Sequence, residues 1–225
     1  ENHSVEVFGF GAYEYGSDKP DCNTAKFVAW LLTESDFGAG IPAERLDVGQ
    51  WVTYVRAAGL LSSPALTTQI KASELLKRAC DLTNSIAVNS YDRIRIRPLA
   101  DVEVAGNGAT YTPDNTIQFD LNDDWYLGPV QWNRKQASDR YNHILVEYKD
   151  RKNYYSGAIA QAFDDADIAL YGKRTSPDTI SAPWVCDASV ARLIAQIELQ
   201  RSLNINATGS VTLPFAFCML EPGDL

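Results

Sequence analysis

Two histidines, one methionine and four cysteines in 225 residues leave little material for side-chain chemistry. His3 lies near the N-terminus and His143 inside a strand-like stretch. Cys22, Cys80, Cys186 and Cys218 stand far apart, with no C-x-x-C pair and no histidine close in sequence. That spacing does not suggest zinc; an even count permits disulfides, but a chain of this size does not need them, and the four read as buried free thiols. No apolar run approaches the length a membrane span needs. A G-x-S-x-G elbow, a Walker loop and a G-x-G-x-x-G turn after a strand are all missing, which removes the common signatures of serine hydrolases and nucleotide-binding folds. Positive charge is short as well. The 20 lysines and arginines face 29 aspartates and glutamates, a net charge of -9, so a polyanion meets repulsion and specific DNA binding is not expected. Arg93, Arg95 and Arg97 form one local basic exception, and their alternation reads as the solvated face of a strand.

What is present belongs to a globular α+β chain, with 45% hydrophobic residues. Val5 to Phe10 alternates as a short strand. Asn23 is placed to cap a first helix with Phe27, Trp30 and Leu31 as its apolar stripe. Asp47 and Gln50 have the spacing of a capping box before a second helix that buries Trp51, Tyr54, Val55 and Ala58 and ends at Gly59. A third helix is expected from Ser73 to Asn84, on Leu75, Leu76, Ala79 and Leu82. Ile86–Val88 and Ile94–Ile96 flank a four-residue hairpin loop, Asn89 to Asp92. The shift from helices to strands sets a boundary near Pro98, giving a helical domain with a hairpin over 1–98 and a β-rich domain over 99–225.

In the second part, Gly106-Asn107-Gly108 marks a turn and Ile117 to Leu121 a short strand. Tyr141 to Arg151 is the plainest strand of the chain, with Ile144, Val146 and Tyr148 on one face. Asp187 is placed to cap a long helix whose apolar residues are Val190, Leu193, Ile194 and Ile197. Val211, Leu213, Phe215 and Phe217 alternate as a second strand, with Pro214 at an edge or bulge. Glu221-Pro222-Gly223-Asp224 is a turn. With only Leu225 after it, and with Glu1 where an initiator methionine stands, the sequence reads as a piece of a longer chain.

Three sets of residues invite chemistry. Asp164, Asp165 and Asp167 are a carboxylate cluster without histidine, and adjacent positions in one segment do not set two carboxylates across a cleft. They read as a charged exposed turn or helix start. Asn122-Asp123-Asp124 lacks the ligand spacing of a calcium loop and reads as a solvated turn. Trp125, Tyr126, Trp132, Tyr154 and Tyr155 would suit stacking on sugars if they shared one groove. No catalytic, cofactor-binding or metal-binding residue is assigned.

The order of short motifs carries a resemblance. Asp139-Arg140-Tyr141-Asn142, the strand ending Glu147-Tyr148-Lys149-Asp150, Ala169-Leu170-Tyr171-Gly172-Lys173-Arg174, the helix from Asp187 and the Pro222-Gly223-Asp224 turn resemble, in that order, the tail-tip or baseplate-hub proteins of long-tailed bacteriophages. Upstream, Ala29-Trp30-Leu31-Leu32-Thr33 and Phe37-Gly38-Ala39-Gly40-Ile41 resemble the same family, with Phe37 where tyrosine is usual. The resemblance implies a non-enzymatic structural component of a phage or prophage tail tip, made in the bacterial cytoplasm and assembled into the virion tail. It implies hub subunits as partners, a trimer in the full-length parent, together with tail-tube and distal tail proteins. It also implies that the β-rich part belongs to a tail-tube-like barrel, truncated at its C-terminus. A glycan-binding or cell-wall-degrading module of a tail tip is the alternative.

Overall fold

The computed structural model describes residues 20–224, apart from Phe37, residues 67–69, residues 137–138 and Asn206; the strand expected at Val5 to Phe10 lies outside them. The chain is α+β, with five helices and small sheets of two or three strands that close no barrel among the described residues. It divides into two compact units, one of residues 1–113 with Trp184–Cys186, the other of 114–183 and 187–225.

The first unit is built on three helices. Helix α1 (Thr24–Thr33) follows β1 (Cys22–Asn23), and the Asn23 side chain accepts from the backbone N–H groups of Ala25 and Lys26. The cap forms as expected, but the buried stripe is Ala25, Val28 and Leu32. Phe27, Trp30 and Leu31 are half-buried. The smaller side chains face inward where α1 lies against its neighbours, and the bulky ones cover the flank. Helix α2 (Gly49–Ala58) buries Trp51, Tyr54, Val55 and Ala57 and ends at Gly59, whose φ of +73° suits a residue without Cβ. Its capping box does not form. Asp47 lies instead in β2 (Leu46–Asp47), where its carboxylate accepts from Arg95 at 3.1 Å. The strand β3 (Leu61–Ser62) pairs with β1.

Helix α3 (Ala72–Leu82) buries Leu75, Ala79, Cys80 and Leu82, and leaves Leu76 half-buried. The fully buried Trp51 indole donates to the Thr83 hydroxyl at 2.9 Å, and that hydroxyl donates to the Ala79 carbonyl at 2.7 Å. The one polar group of the largest core residue is thereby satisfied. Burial, with the Asp81 carboxylate beside it, pushes the Cys80 thiol up to about 12, so it packs as a small apolar side chain.

Strands β4 (Ser85–Ser90) and β5 (Arg93–Pro98) form the expected hairpin, with β2 parallel on the far side of β5. The loop has two residues, not four. Ser90 pairs with Arg93, and Tyr91 and Asp92 take φ of 46° and 67°, the positive values of a turn that follows the strand twist. A second hairpin, β6 (Val104–Gly106) and β7 (Ala109–Tyr111), turns through Asn107-Gly108 and lies beyond the boundary expected near Pro98. It belongs to the first unit because it is tied to α2. The Asn107 amide donates to the Arg56 carbonyl at 3.0 Å, Arg56 Nε donates back to the Asn107 carbonyl at 3.1 Å, and the Tyr54 and Tyr111 rings meet edge-on at 5.2 Å.

The unit is completed from far along the chain. Trp184, Val185 and Cys186 are buried, the Ser63 N–H donates to the Trp184 carbonyl at 2.7 Å, and the Arg78 guanidinium lies 5.6 Å from the Trp184 ring centre.

The second unit centres on β9 (His143–Asp150), antiparallel to β10 (Ser156–Phe163) and parallel to β11 (Ile180–Ala182). Ile144, Val146 and Tyr148 are buried as their alternation requires. Helix α5 (Ala188–Asn204) packs on β9 and β10. Asp187 caps it, accepting from the Ser189 N–H at 2.7 Å. The buried residues are Val190, Ala191, Ile194, Ala195 and Leu199, while Leu193 and Ile197 are half-buried. The stripe is turned from the expected one so that the alanines meet the sheet. Helix α4 (Asp165–Tyr171) connects β10 to the segment before β11 and buries no residue.

Two expected strands are absent among the described residues. Ile117 to Leu121 is irregular, and the run from Val211 to Cys218 is not a strand. Pro214, with φ of -66° and no N–H for a ladder, instead opens a 3-10 turn over Phe215–Phe217. The strand falls earlier, β12 (Ala207–Ser210), antiparallel to β8 (Gln131–Arg134). Every residue of this two-stranded ribbon is exposed. The closing turn forms, with the Asp224 N–H on the Glu221 carbonyl at 3.0 Å and Gly223 at φ 90°.

Candidate functional site

The most highly connected polar cluster of the second unit surrounds Asn142, which is fully buried at the start of β9. Its Nδ2 donates to Asp167 Oδ2 at 2.9 Å and to the Gly172 carbonyl at 2.8 Å, and its Oδ1 accepts from the Arg174 N–H at 2.7 Å. Its backbone N–H donates to the Arg174 carbonyl at 3.0 Å, and its carbonyl accepts from the Asp164 N–H at 3.1 Å. One side chain therefore holds both ends of the segment that contains α4. Such density of bonds follows from burial, because an amide removed from water must find all its partners within the protein.

Asp164, Asp165 and Asp167 have different roles within a single turn. Asp164 is the N-cap, accepting from the Asp167 N–H at 2.8 Å, and the start of a helix is where a carboxylate is stabilised. Asp165 is exposed. Asp167 is not part of an exposed charged face. Its Oδ2 also accepts from Arg174 Nη2 at 2.9 Å, in an ion pair whose side chains are only 16% and 19% exposed. The Arg174 guanidinium in turn lies 5.4 Å from the Tyr171 ring centre.

His143 is next to the node and is buried. Its Nδ1 lies 2.9 Å from the Thr175 hydroxyl and its Nε2 3.1 Å from Gln161 Oε1. With the Gln161 oxygen accepting, Nε2 carries the proton and Nδ1 accepts from Thr175. The ring is thus held on both sides. Asp167 and Arg174 direct their charged groups at each other, and the His143 ring is engaged by Thr175 and Gln161.

Elsewhere, Asn122 Oδ1 accepts from the Asp124 N–H at 3.2 Å in a local turn. Among the described residues no three histidine, cysteine, aspartate or glutamate side chains are grouped to hold a metal ion. The five aromatic residues of the sugar-stacking test fall in three segments, Trp125 with Tyr126, Trp132 on β8, and Tyr154 with Tyr155. Trp125 meets Phe217 edge-on at 5.3 Å, and Phe217 meets Phe119 at 5.5 Å. Tyr126 is half-buried beside that cluster in sequence. Trp132 lies on β8 over Gly209, where a Cβ would come within 2.9 Å of the indole. Tyr154 and Tyr155, both at positive φ, form the turn between β9 and β10. Cys218 is exposed, unlike the three other thiols, because the 3-10 turn that carries it lies on the surface.

Arg93, Arg95 and Arg97 remain on β5. Ile96 between them is buried, Arg93 is exposed, and Arg95 and Arg97 are half-buried, with Arg95 neutralised by Asp47. Sequence reasoning did not identify Asn142 and Arg174 as partners. The signal was their membership of two motifs that recur in a fixed order.

Residues 71–225 match the model of the family described as "Putative phage tail protein", and the chain belongs to that family. It is a structural component of a bacteriophage tail, located in the virion tail and assembling with other tail proteins. The likeness at Ala29 to Ile41 lies outside the matched residues. No curated protein matches the chain.

Proposed function

We propose that the chain is part of the baseplate hub at the tail tip, joining the tail tube to the distal parts that recognise the host. One observation carries this reading. The stretches that resemble hub proteins, around Tyr141-Asn142 and Ala169 to Arg174, are far apart in sequence yet close on each other through the Asn142 amide. The resemblance therefore falls on the residues that hold the second unit together.

The chain works through assembly and not through catalysis, a reading supported by Asp167 and Arg174 pairing with each other beside Asn142 and by His143 being held between Thr175 and Gln161. The hub is a trimer, made in the bacterial cytoplasm, where the buried thiols of Cys22, Cys80 and Cys186 stay reduced. The net charge of -9 keeps it from holding DNA by phosphate contacts. What weighs against a sugar groove is that Trp125 stacks edge-on with Phe217 and Trp132 lies over Gly209. Gold labelling of an affinity tag on purified tails tests the assignment. A single label cluster at the distal end is expected, and label repeated along the tube would overturn it.

A further inference from the structure

Asn107-Gly108 is the one Asn-Gly pair in the sequence, and it forms the turn between β6 and β7. Glycine has no side chain to shield its backbone nitrogen, and both residues are exposed, so water is at hand. The chemistry open to such a pair is deamidation. The Gly108 backbone nitrogen attacks Cγ of the Asn107 amide, an N–C bond forms, and Nδ2 leaves as ammonia with the proton that the backbone nitrogen gives up. Water then opens the resulting cyclic imide at one carbonyl or the other, leaving aspartate or isoaspartate. No oxidant or reductant takes part.

The docked hairpin opposes the first step. Ring closure needs the Gly108 nitrogen on the same side as the Asn107 side chain. Positive φ at both turn residues, 49° and 69°, belongs to a tight turn that points this nitrogen away from it. Bringing it round also rotates the Asn107 carbonyl, because the carbonyl oxygen and the next nitrogen share one planar peptide group. That oxygen accepts from Arg56 Nε at 3.1 Å, and the amide under attack donates through Nδ2 to the Arg56 carbonyl at 3.0 Å. The hairpin also lies close on α2, since a Cβ on Gly106 would stand 2.5 Å from the Ala57 carbonyl oxygen. Reaction therefore requires the hairpin to leave the helix.

We propose that Asn107 is a deamidation site gated by docking of the β6–β7 hairpin on α2, and that modification prevents the hairpin from docking again. The Arg56 carbonyl lies in the last turn of α2, the negative end of the helix. An amide donates a hydrogen bond there. A carboxylate has no proton to give and sets its charge against the carbonyl oxygen. Isoaspartate does more, because its main chain runs through the side-chain carbon, which lengthens the turn by one atom and disturbs the pairing of Gly106 with Ala109. A chain modified while its hairpin is open is thus held in the open form.

Incubation of the purified chain at mildly alkaline pH, folded and in guanidinium chloride, tests this, with peptide mass mapping and isoaspartyl methyltransferase labelling as readouts. The unfolded chain should modify Asn107 about tenfold faster, or more, than the folded one. Arg56→Ala removes the bond that fixes the Asn107 carbonyl. It should speed modification of the folded chain several-fold and leave the rate in guanidinium chloride unchanged, with circular dichroism reporting that the variant is folded. Asn107→Asp carries one of the two products from the start, and should lower the thermal midpoint and speed hydrogen exchange from Val104 to Tyr111. Equal rates in the folded and unfolded wild type would overturn the proposal. So would a folded Arg56→Ala chain that reacts no faster than wild type, or an Asn107→Asp chain that melts and exchanges as the wild type does.

Discussion

Trp51 in the first unit and Trp132 in the second meet opposite surroundings. In the first, Trp51 is fully enclosed and its indole is bonded to Thr83. In the second, Trp132 and Phe215 are 74% and 87% exposed. The difference follows from what each segment has to pack against. Helices α1, α2 and α3 each offer a stripe, and together they enclose a volume that an indole can fill. Among the described residues the strands β8 and β12 pair only with each other, and every residue of that ribbon is exposed. Burial is therefore decided by the partner elements, and hydrophobicity alone does not predict it.

That contrast can be broken at four points, from the largest expected effect to the smallest. Trp51→Ala should destabilise the first unit by about 3–5 kcal/mol, as a large core cavity does, read by urea unfolding followed through near-UV circular dichroism. A loss under 1 kcal/mol would mean that Trp51 does not fill the core. Asn142→Ala leaves the Gly172 carbonyl, the Arg174 N–H and one lone pair of Asp167 without their partner, and should cost roughly 2–4 kcal/mol. Hydrogen exchange should show the segment from Asp164 to Ser176 opening first. If the unit melts as a whole with no local opening, the node does not act as a clasp on that segment.

Asp187 gives a smaller effect with a definite sign. Burial alone would raise its pKa, but the Ser189 hydroxyl and N–H, with Lys152 and Arg151 nearby, outweigh that and hold it below its ordinary value. A carboxylate lowered in the folded state contributes stability that is complete above its unfolded pKa, near 3.9, and is lost as pH falls through the folded value. Asp187→Asn keeps a capping oxygen and removes the charge, so its unfolding midpoint should fall less steeply than that of the wild type below about pH 4. Asp187→Ala should cost about 1 kcal/mol at neutral pH. Parallel acid limbs for wild type and Asp187→Asn would remove Asp187 from the account. Last, Phe215→Ser should change stability by no more than about 0.5 kcal/mol, since its ring is already in water.

The legible parts of the fold were local and periodic. Ile144, Val146 and Tyr148 alternate within one strand, Asp187 stands next to the helix it caps, and Gly59 ends α2 where a left-handed residue is needed. The missed parts depended on competition between distant segments. Asp47 has the right neighbours for a capping box, but Arg95 draws it into a strand. Phe27, Trp30 and Leu31 are the bulkier set on α1, yet Ala25, Val28 and Leu32 form the face that is buried. Pro214 sits within a convincing alternation and still prevents it from becoming a strand. At the node, Asn142 is separated from Asp167 by 25 residues and from Arg174 by 32, so no local pattern records the contact.

The burial of Trp184, Val185 and Cys186 within the first unit has a consequence for the order in which the chain is made. A ribosome moving from the N-terminus completes α1, α2, α3 and both hairpins long before it reaches Trp184. Throughout that interval the Ser63 N–H waits for its carbonyl and Arg78 for its ring. The first unit thus begins folding first and finishes late, after most of the second unit has been synthesised. A chain released early, or cut after Pro113, keeps its helices but lacks the segment that closes them. That makes the incomplete nascent chain a natural target for a chaperone or protease, and it ties the survival of the N-terminal helices to faithful translation of a stretch more than a hundred residues downstream.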